Sequence, residues 1–440
     1  PKGERVFLSL MKTQSPTQSD ETNPPEPSLL RTLKSFPRPV WIVFLGVFIN
    51  RFGTFVIPFL ALHVTKLGYS IKEAGYALVA YGGGHLIASL IGGHLADTIG
   101  RRNTIVMSMF SAGVTMLLLS QAQSLFWICA FACLAGVTAE FYKPASSALL
   151  ADLTRSEDRV TAYAAYRFAI NAGWAIGPAM AGLMAKHSYT WLFIGDAATS
   201  FIFGGIAWFM LPELRKGARP KWTQVFGAFS SVAAACRCAF KDRRYVRFLI
   251  GSFGPAVVLM QMPSSLGLEI KFAGFSEAVF GGIMALNGVL IIAFEIPLCA
   301  FTRRLPPTTA IAIGYLLMGG GFAILALGDT IAIYALGMTV FTFGEMFSMP
   351  IAMAYAAELS PAHMRGRYMG VYSLVWGFAL TIGPAAGMAI FEFDPFLLWT
   401  SCGALGLIAA VITLDLFHQP RSVVATEPLE IDASPLEAEG

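Results

Sequence analysis

Residues 141–154 read FYKPASSALLADLT, and 206 residues later, at 347–360, the chain reads FSMPIAMAYAAELS. The two stretches align without a gap. The same offset pairs Pro144 with Pro350, Asp152 with Glu358, Arg159 with Arg365 and Tyr166 with Tyr372. It also pairs Gly177-Pro178 with Gly383-Pro384. One constant offset held over about forty positions is the mark of an internal duplication. Both copies lie in strongly apolar surroundings, so the question is what a duplicated apolar chain builds.

Of the 440 residues, 55% are hydrophobic and 13% charged, with a mean hydropathy of +0.62. A soluble domain carries about one quarter charged residues. Apolar runs recur here at lengths near the ~20 residues that a helix needs to cross ~30 Å of hydrocarbon. Twelve spans are predicted, at 40–63, 71–96, 103–122, 124–151, 160–186, 190–211, 246–271, 276–300, 309–328, 330–358, 367–391 and 395–417. Residues 1–38 form a polar, proline-rich tail, and 39–211 and 246–418 two six-helix bundles. Between the bundles, 212–245 is a linker with an interfacial helix around 222–240; 419–440 is an acidic tail. No cleavable signal precedes the first span. With the N-terminus in the cytoplasm, cytoplasmic segments hold 24 of the 31 Lys and Arg residues, and the opposite side holds four. The positive-inside bias therefore places both termini in the cytoplasm. The fold class is an all-α integral membrane protein of twelve spans, two bundles related by a pseudo-twofold axis along the membrane normal. Alternating access around a midplane site follows from that architecture. The six cysteines stand mostly alone and show neither a disulfide framework nor metal-ligand spacing.

Between spans two and three runs GGHLADTIGRR, residues 92–102, and span five carries Gly173-x-x-x-Gly177-Pro178-x-x-Ala181-Gly182. The first resembles the loop 2–3 motif of the major facilitator superfamily. The second resembles the span-five motif of that superfamily's drug:proton antiporters, with Ala181 where a second glycine is usual. Ala132 stands where such exporters carry an arginine in span four, so the usual proton-relay arginine is absent from that place. The resemblance covers about 40–417. It implies a network of Asp97, Arg101 and Asp152, next to Gly93 and Gly100, that holds the bundles together on the inside. Offset by 206 residues, LCAFTRRLPPT at 298–308 lacks the aspartate and the glycines, so the loop is an asymmetric gate. Glu358, the counterpart of Asp152, joins the gating candidates. Gly177-Pro178 and Gly383-Pro384 remove a helical hydrogen bond and permit bending.

Charged residues inside spans are costly and normally functional. By the ~1.5 Å rise per residue, Arg51 in span one and Glu140 in span four reach one level, which predicts an Arg51–Glu140 partnership. Lys143 and Arg167 lie nearer the cytoplasmic mouth, and these bases keep Glu140 ionised. Glu345 in span ten has no Lys or Arg in the interior of any span of its own half, since Arg247, Lys271 and Arg367 stand at span ends. An acid that is neutral when occluded and charged when wet suits proton coupling, so Glu345 is the leading proton or cation site. Glu295 in span eight lies closer to the cytoplasmic face and reads as a gate residue. No histidine cluster, nucleophile set or phosphate-binding loop is present, which argues against an enzyme or an ATP-driven pump.

The sequence therefore predicts a monomeric secondary transporter of the cell membrane, driven by a proton gradient, with no cofactor and no metal. Its partners are a small-molecule substrate, protons and the lipid bilayer, with no nucleic acid. The leading expectation is proton-coupled efflux of small amphipathic compounds. The alternative is proton-coupled uptake or exchange of a small organic anion or sugar, which Arg51, Lys143 and Arg167 would suit. A non-transporting membrane sensor or enzyme ranks third.

Overall fold

A computed structural model describes residues 29–155, 158–213, 240–302, 304–360 and 365–415; the side chains of 29–31, 89–98, 160, 296, 300, 365–367 and 415 lie outside that description. The expected tails, most of the linker with its interfacial helix, and Arg303 also fall outside it. All regular structure among the described residues is helical. In chain order the first half contains α1 Leu29–Ser35, α2 Arg38–Phe52, α3 Val56–Lys66, α4 Ile71–Thr98 and α5 Arg101–Gln121. It continues with α6 Leu125–Thr138, α7 Tyr142–Leu153, α8 Arg159–His187 and α9 Thr190–Met210. The second half contains α10 Arg243–Met260, α11 Ser265–Phe272, α12 Glu277–Thr302 and α13 Pro307–Ala323. It ends with α14 Ile331–Leu359, α15 Arg365–Phe393 and α16 Pro395–Asp415.

Eleven stretches among the described residues are long and apolar enough to cross a membrane. The remaining expected span, 71–96, is the 28-residue helix α4. Three spans expected as continuous are broken in the middle. Span one is α2 plus α3, span four is α6 plus α7, and span seven is α10 plus α11. Each break has a local cause. Gly53 ends α2, and Phe55 N–H turns back onto the Gly53 carbonyl at 2.8 Å. Pro263 has no N–H to continue the ladder between α10 and α11. The third break, at 139–141, sets the buried Glu140 between two helix ends.

Packing repeats the duplication contact by contact. In the first half α4 lies on α6, α5 on α9, and α2 on α8. In the second half α12 lies on α14, α13 on α16, and α10 on α15, each pair the counterpart of one in the first. The halves meet through α8 against α12 and α4 against α15, again a symmetric set. Small residues make both seams. Gly75 and Gly82 of α4 stand 206 residues before Gly281 and Gly288 of α12. A Cβ on Gly82 would sit 2.8 Å from the Thr381 Cα, and one on Gly288 would strike the backbone of Ala175. Without a hydrophobic drive between helices in lipid, such close backbone approach is what binds them. Gly82→Val and Gly288→Val are each expected to cost about 1–3 kcal/mol by overpacking, read as a fall in melting temperature in detergent. Neither Gly75→Ser nor a change at lipid-facing Phe126, which is 72% exposed, should approach that cost.

The Gly-Pro pairs do not interrupt their own helices: α8 runs through Pro178 and α15 through Pro384. They seat the break of the neighbouring span. A Cβ on Gly177 would lie 2.6 Å from the Phe52 carbonyl oxygen, and one on Gly383 would lie 3.1 Å from Met260 Cβ. Gln261 Nε2 donates to the Gly383 carbonyl at 3.0 Å, which ties the span-seven break to α15.

Candidate transport cavity

The three broken spans meet around a cavity of about 420 Å3 between the two halves. Its first-half wall carries Arg51 and Thr54 of span one, Tyr81 and His85 of α4, Glu140 and Lys143 of span four, and Asn171 and Trp174 of α8. The second-half wall is mostly apolar: Leu259, Met260, Met262, Ile291 and Leu380. Its polar groups are Asn287 of α12 and Glu345 of α14.

Glu140 gathers three basic side chains. Arg51 Nη2 lies 3.6 Å from its Oε1, His85 Nε2 lies 3.4 Å from Oε2, and Lys143 Nζ pairs with the same Oε2. Both Arg51 and Glu140 are buried. The Arg51 guanidinium also stands over the Tyr142 ring at 5.7 Å, a cation–π contact. The break at 139–141 lets one carboxylate sit between two helix ends and meet groups from three spans. His85 escaped the sequence reading because the six histidines are scattered along the chain; only its place on α4, one turn after Tyr81, could have drawn attention. The cluster has no copy in the other half. Val257, Met346 and Met349 stand 206 residues after Arg51, Glu140 and Lys143.

Glu345 faces the cluster from the opposite wall. Asn287 Nδ2 donates to Glu345 Oε2 at 2.9 Å and to Thr342 Oγ1 at 3.0 Å, using both its N–H groups. Among the described residues no basic side chain lies within ion-pair distance of Glu345, whereas Glu140 is held by Arg51, Lys143 and His85. A smaller adjoining pocket is lined by Glu345, Asn171, Arg167, Glu295, Met349 and Pro350. Arg167 was expected near Glu140. It instead pairs with Glu295, Nη2 to Oε1 at 2.7 Å, joining α8 to α12 across the halves. The reason is reach: Arg167 sits two turns into α8, on the seam that faces α12 rather than toward span four.

Arg101 Nε lies 2.7 Å from Asp152 Oδ2, so this pair joins α5 to α7 within the first half. Gly100 takes a φ of +95 between α4 and α5, a conformation that suits glycine, and a Cβ there would strike Glu213. Arg102 Nε then reaches Glu213 Oε2 at 3.4 Å. Gly93 and Asp97 lie in the last turns of α4, where side chains fall outside the described residues. Glu358 lies exposed near the end of α14.

The membrane end away from Arg101 and Asp152 is closed by contacts between the halves. Phe59 and Phe280 pack edge to face with centroids 5.0 Å apart. The Tyr189 hydroxyl donates to Glu277 Oε1 at 3.1 Å, and Lys271 pairs with the same oxygen. Lys72 N–H donates to Glu392 Oε2 at 3.1 Å. At the other end, the Arg167–Glu295 pair spans the halves and is half exposed on the arginine side. An exposed pair contributes about 0–1 kcal/mol. Arg167→Gln and Glu295→Gln should therefore leave melting within that range. Both should speed labelling of an Asn171→Cys reporter by a membrane-impermeant maleimide several-fold, and the swap Arg167→Glu with Glu295→Arg should restore the slow rate.

Two symmetric bundles with broken spans lining a midplane cavity are the architecture of a secondary transporter. The chain belongs to the Major Facilitator Superfamily, whose family model matches residues 43–384 and, in an overlapping second match, 264–434. It is 26% identical over 420 residues to the Na(+), Li(+), K(+)/H(+) antiporter of Planococcus maritimus, covering 88% of this chain and 97% of that protein. It is 22% identical over 392 residues to the multidrug resistance protein MdtH of Aeromonas hydrophila, covering 87% and 96%. Among solved structures, the nucleoside transporter NupG superposes with a TM-score of 0.73 at 15% identity, covering 87% of this chain and 100% of that one. The protein is a multi-pass membrane transporter of this superfamily.

Proposed function

We propose that the protein couples proton entry to export of small amphipathic compounds across the cell membrane, with both termini in the cytoplasm. The observation that carries this reading is the asymmetry of the cavity acids. Glu140 is locked among Arg51, His85 and Lys143, whereas Glu345 accepts from the Asn287 amide and opens onto both the cavity and the smaller pocket beside it. An acid held by three bases keeps its charge throughout the cycle. An acid held by an amide can lose and regain a proton as water and substrate exchange around it. A mostly apolar cavity about 420 Å3 in volume, edged by Tyr81 and Trp174, suits a small amphipathic molecule. Proton and substrate would then compete for the Glu345 side of the cavity, which makes the exchange obligatory. One pH unit supplies about 1.4 kcal/mol per proton, and 100 mV adds about 2.3 kcal/mol.

Alternating access would work by parting the Tyr189–Glu277 and Lys72–Glu392 contacts at one end while the halves close at the other. The relatives that include a multidrug resistance protein and a cation/proton antiporter support exchange against protons. A second reading, exchange of a small organic anion, is favoured by the excess of bases over acids on the first-half wall. The deciding experiment is a proteoliposome assay with an imposed pH gradient and an internal pH dye. Amphipathic cations such as ethidium and small carboxylates are added in parallel. Proton movement on adding the cations supports the first reading; movement with carboxylates alone replaces it with the second.

A further inference from the structure

Asp196 is a buried acid inside a membrane span, in the second turn of α9, that neither the cavity nor the gates use. A carboxylate at such a position is costly unless it performs a task. Its carboxylate meets backbone: Val56 N–H donates to Asp196 Oδ2 at 3.4 Å, from 140 residues away in the chain. Val56 is the first residue of α3, the second half of broken span one. Phe55, which precedes it, has no side-chain acceptor to cap that helix, and α3 shows no local side-chain cap. The orphan N–H groups of a helix start need such an acceptor. Span six supplies the missing cap from outside.

The rest of the break is seated on the same face of α9. A Cβ on Gly53 would strike Thr199, and one on Gly195 would lie 2.9 Å from the Phe55 ring. The break also sets two cavity residues, since Thr54 N–H donates to the Arg51 carbonyl at 3.4 Å and both side chains line the cavity. The other half holds no counterpart: Cys402 stands 206 residues after Asp196, and the span-seven break is tied by Gln261 instead.

We propose that Asp196 is a positioning residue for transport, whose carboxylate caps the second half of span one and so holds the break that orients Arg51 and Thr54 toward the cavity. The proposal rests on alternating access but not on Glu345 as the proton site, and its test needs no substrate. Spin labels are placed at Lys66→Cys and Phe272→Cys, exposed ends of spans one and seven, in a cysteine-free background. Distances between them are measured by pulsed electron resonance in nanodiscs.

Loss of an N-cap acceptor is expected to shift the ratio of closed to open distances about two- to thirtyfold in Asp196→Ala. Asp196→Asn keeps an acceptor oxygen and should retain the wild-type distribution. Where Asp196→Ala does not purify as a single species, Asp196→Val, which likewise lacks an acceptor, takes its place, with the same shift expected. An unchanged distribution accompanied only by a lower melting temperature would reduce Asp196 to a structural residue and overturn the proposal. A shift in Asp196→Asn as large as in Asp196→Ala would overturn it too, because the charge and not the cap would then be responsible. Intact distances alongside lost pH-driven transport in Glu345→Gln would concern the proton site alone.

Discussion

Replacing Glu345 with glutamine is expected to reduce pH-driven transport in proteoliposomes by roughly 100-fold, the lower end of what a positioned proton-transfer group contributes. The substitution is nearly isosteric, and the glutamine oxygen can still accept the 2.9 Å hydrogen bond from Asn287. Melting should therefore stay within about 1 kcal/mol of wild type. Exchange of labelled substrate without a gradient should persist, because a permanently neutral side chain still permits the bundles to rock. Intact coupling in the Glu345→Gln protein would remove this residue as the carrier. The parallel substitution at Glu295 should slow turnover yet leave the response to pH in place, since Glu295 belongs to the pair with Arg167.

The second large effect concerns stability. Glu140→Leu would leave the Arg51 guanidinium buried without its carboxylate, and His85 and Lys143 without their shared partner. Breaking a buried pair by removing one member costs about 3–5 kcal/mol. Lys143 is about 42% exposed and can turn toward water, so most of the cost falls on Arg51, which is 9% exposed. The double substitution Arg51→Met with Glu140→Leu should recover most of the loss, because an apolar pair of similar volume carries no desolvation penalty. Thermal melting in detergent of the two single variants and the double variant closes this cycle. A double variant no more stable than Glu140→Leu alone would show that Arg51 is not the group left stranded.

Much of this protein was legible in its residues. A bilayer of fixed thickness demands apolar runs of matching length, and a duplication reveals itself by a constant offset. Twelve spans, two bundles and the level shared by Arg51 and Glu140 all follow from counting along the chain. Counting failed wherever helix rotation or interruption decides the outcome. Arg167 counts along the chain as one of the bases toward the mouth that serve Glu140, yet the face of α8 on which it stands meets α12, and Glu295 is its partner. His85 and Asn287 are unremarkable polar residues in sequence, and only packing brings them onto the two cavity acids. In sequence the Gly-Pro pairs mark places where a helix can bend; only packing shows that Gly177 and Gly383 also stand against the breaks of the neighbouring spans.

The chain alone thus determined the class of molecule, since hydropathy, charge bias and repeat act locally and survive without knowledge of any contact. Tertiary structure decided which acid sits among basic side chains and which meets an amide. That distinction depends on side chains brought together from spans far apart in the chain: Arg51 and Glu140 are separated by 89 positions, and Asn287 and Glu345 by 58. It depends as well on the breaks in spans one, four and seven, where a backbone freed from its helix sets the direction of the groups beside it.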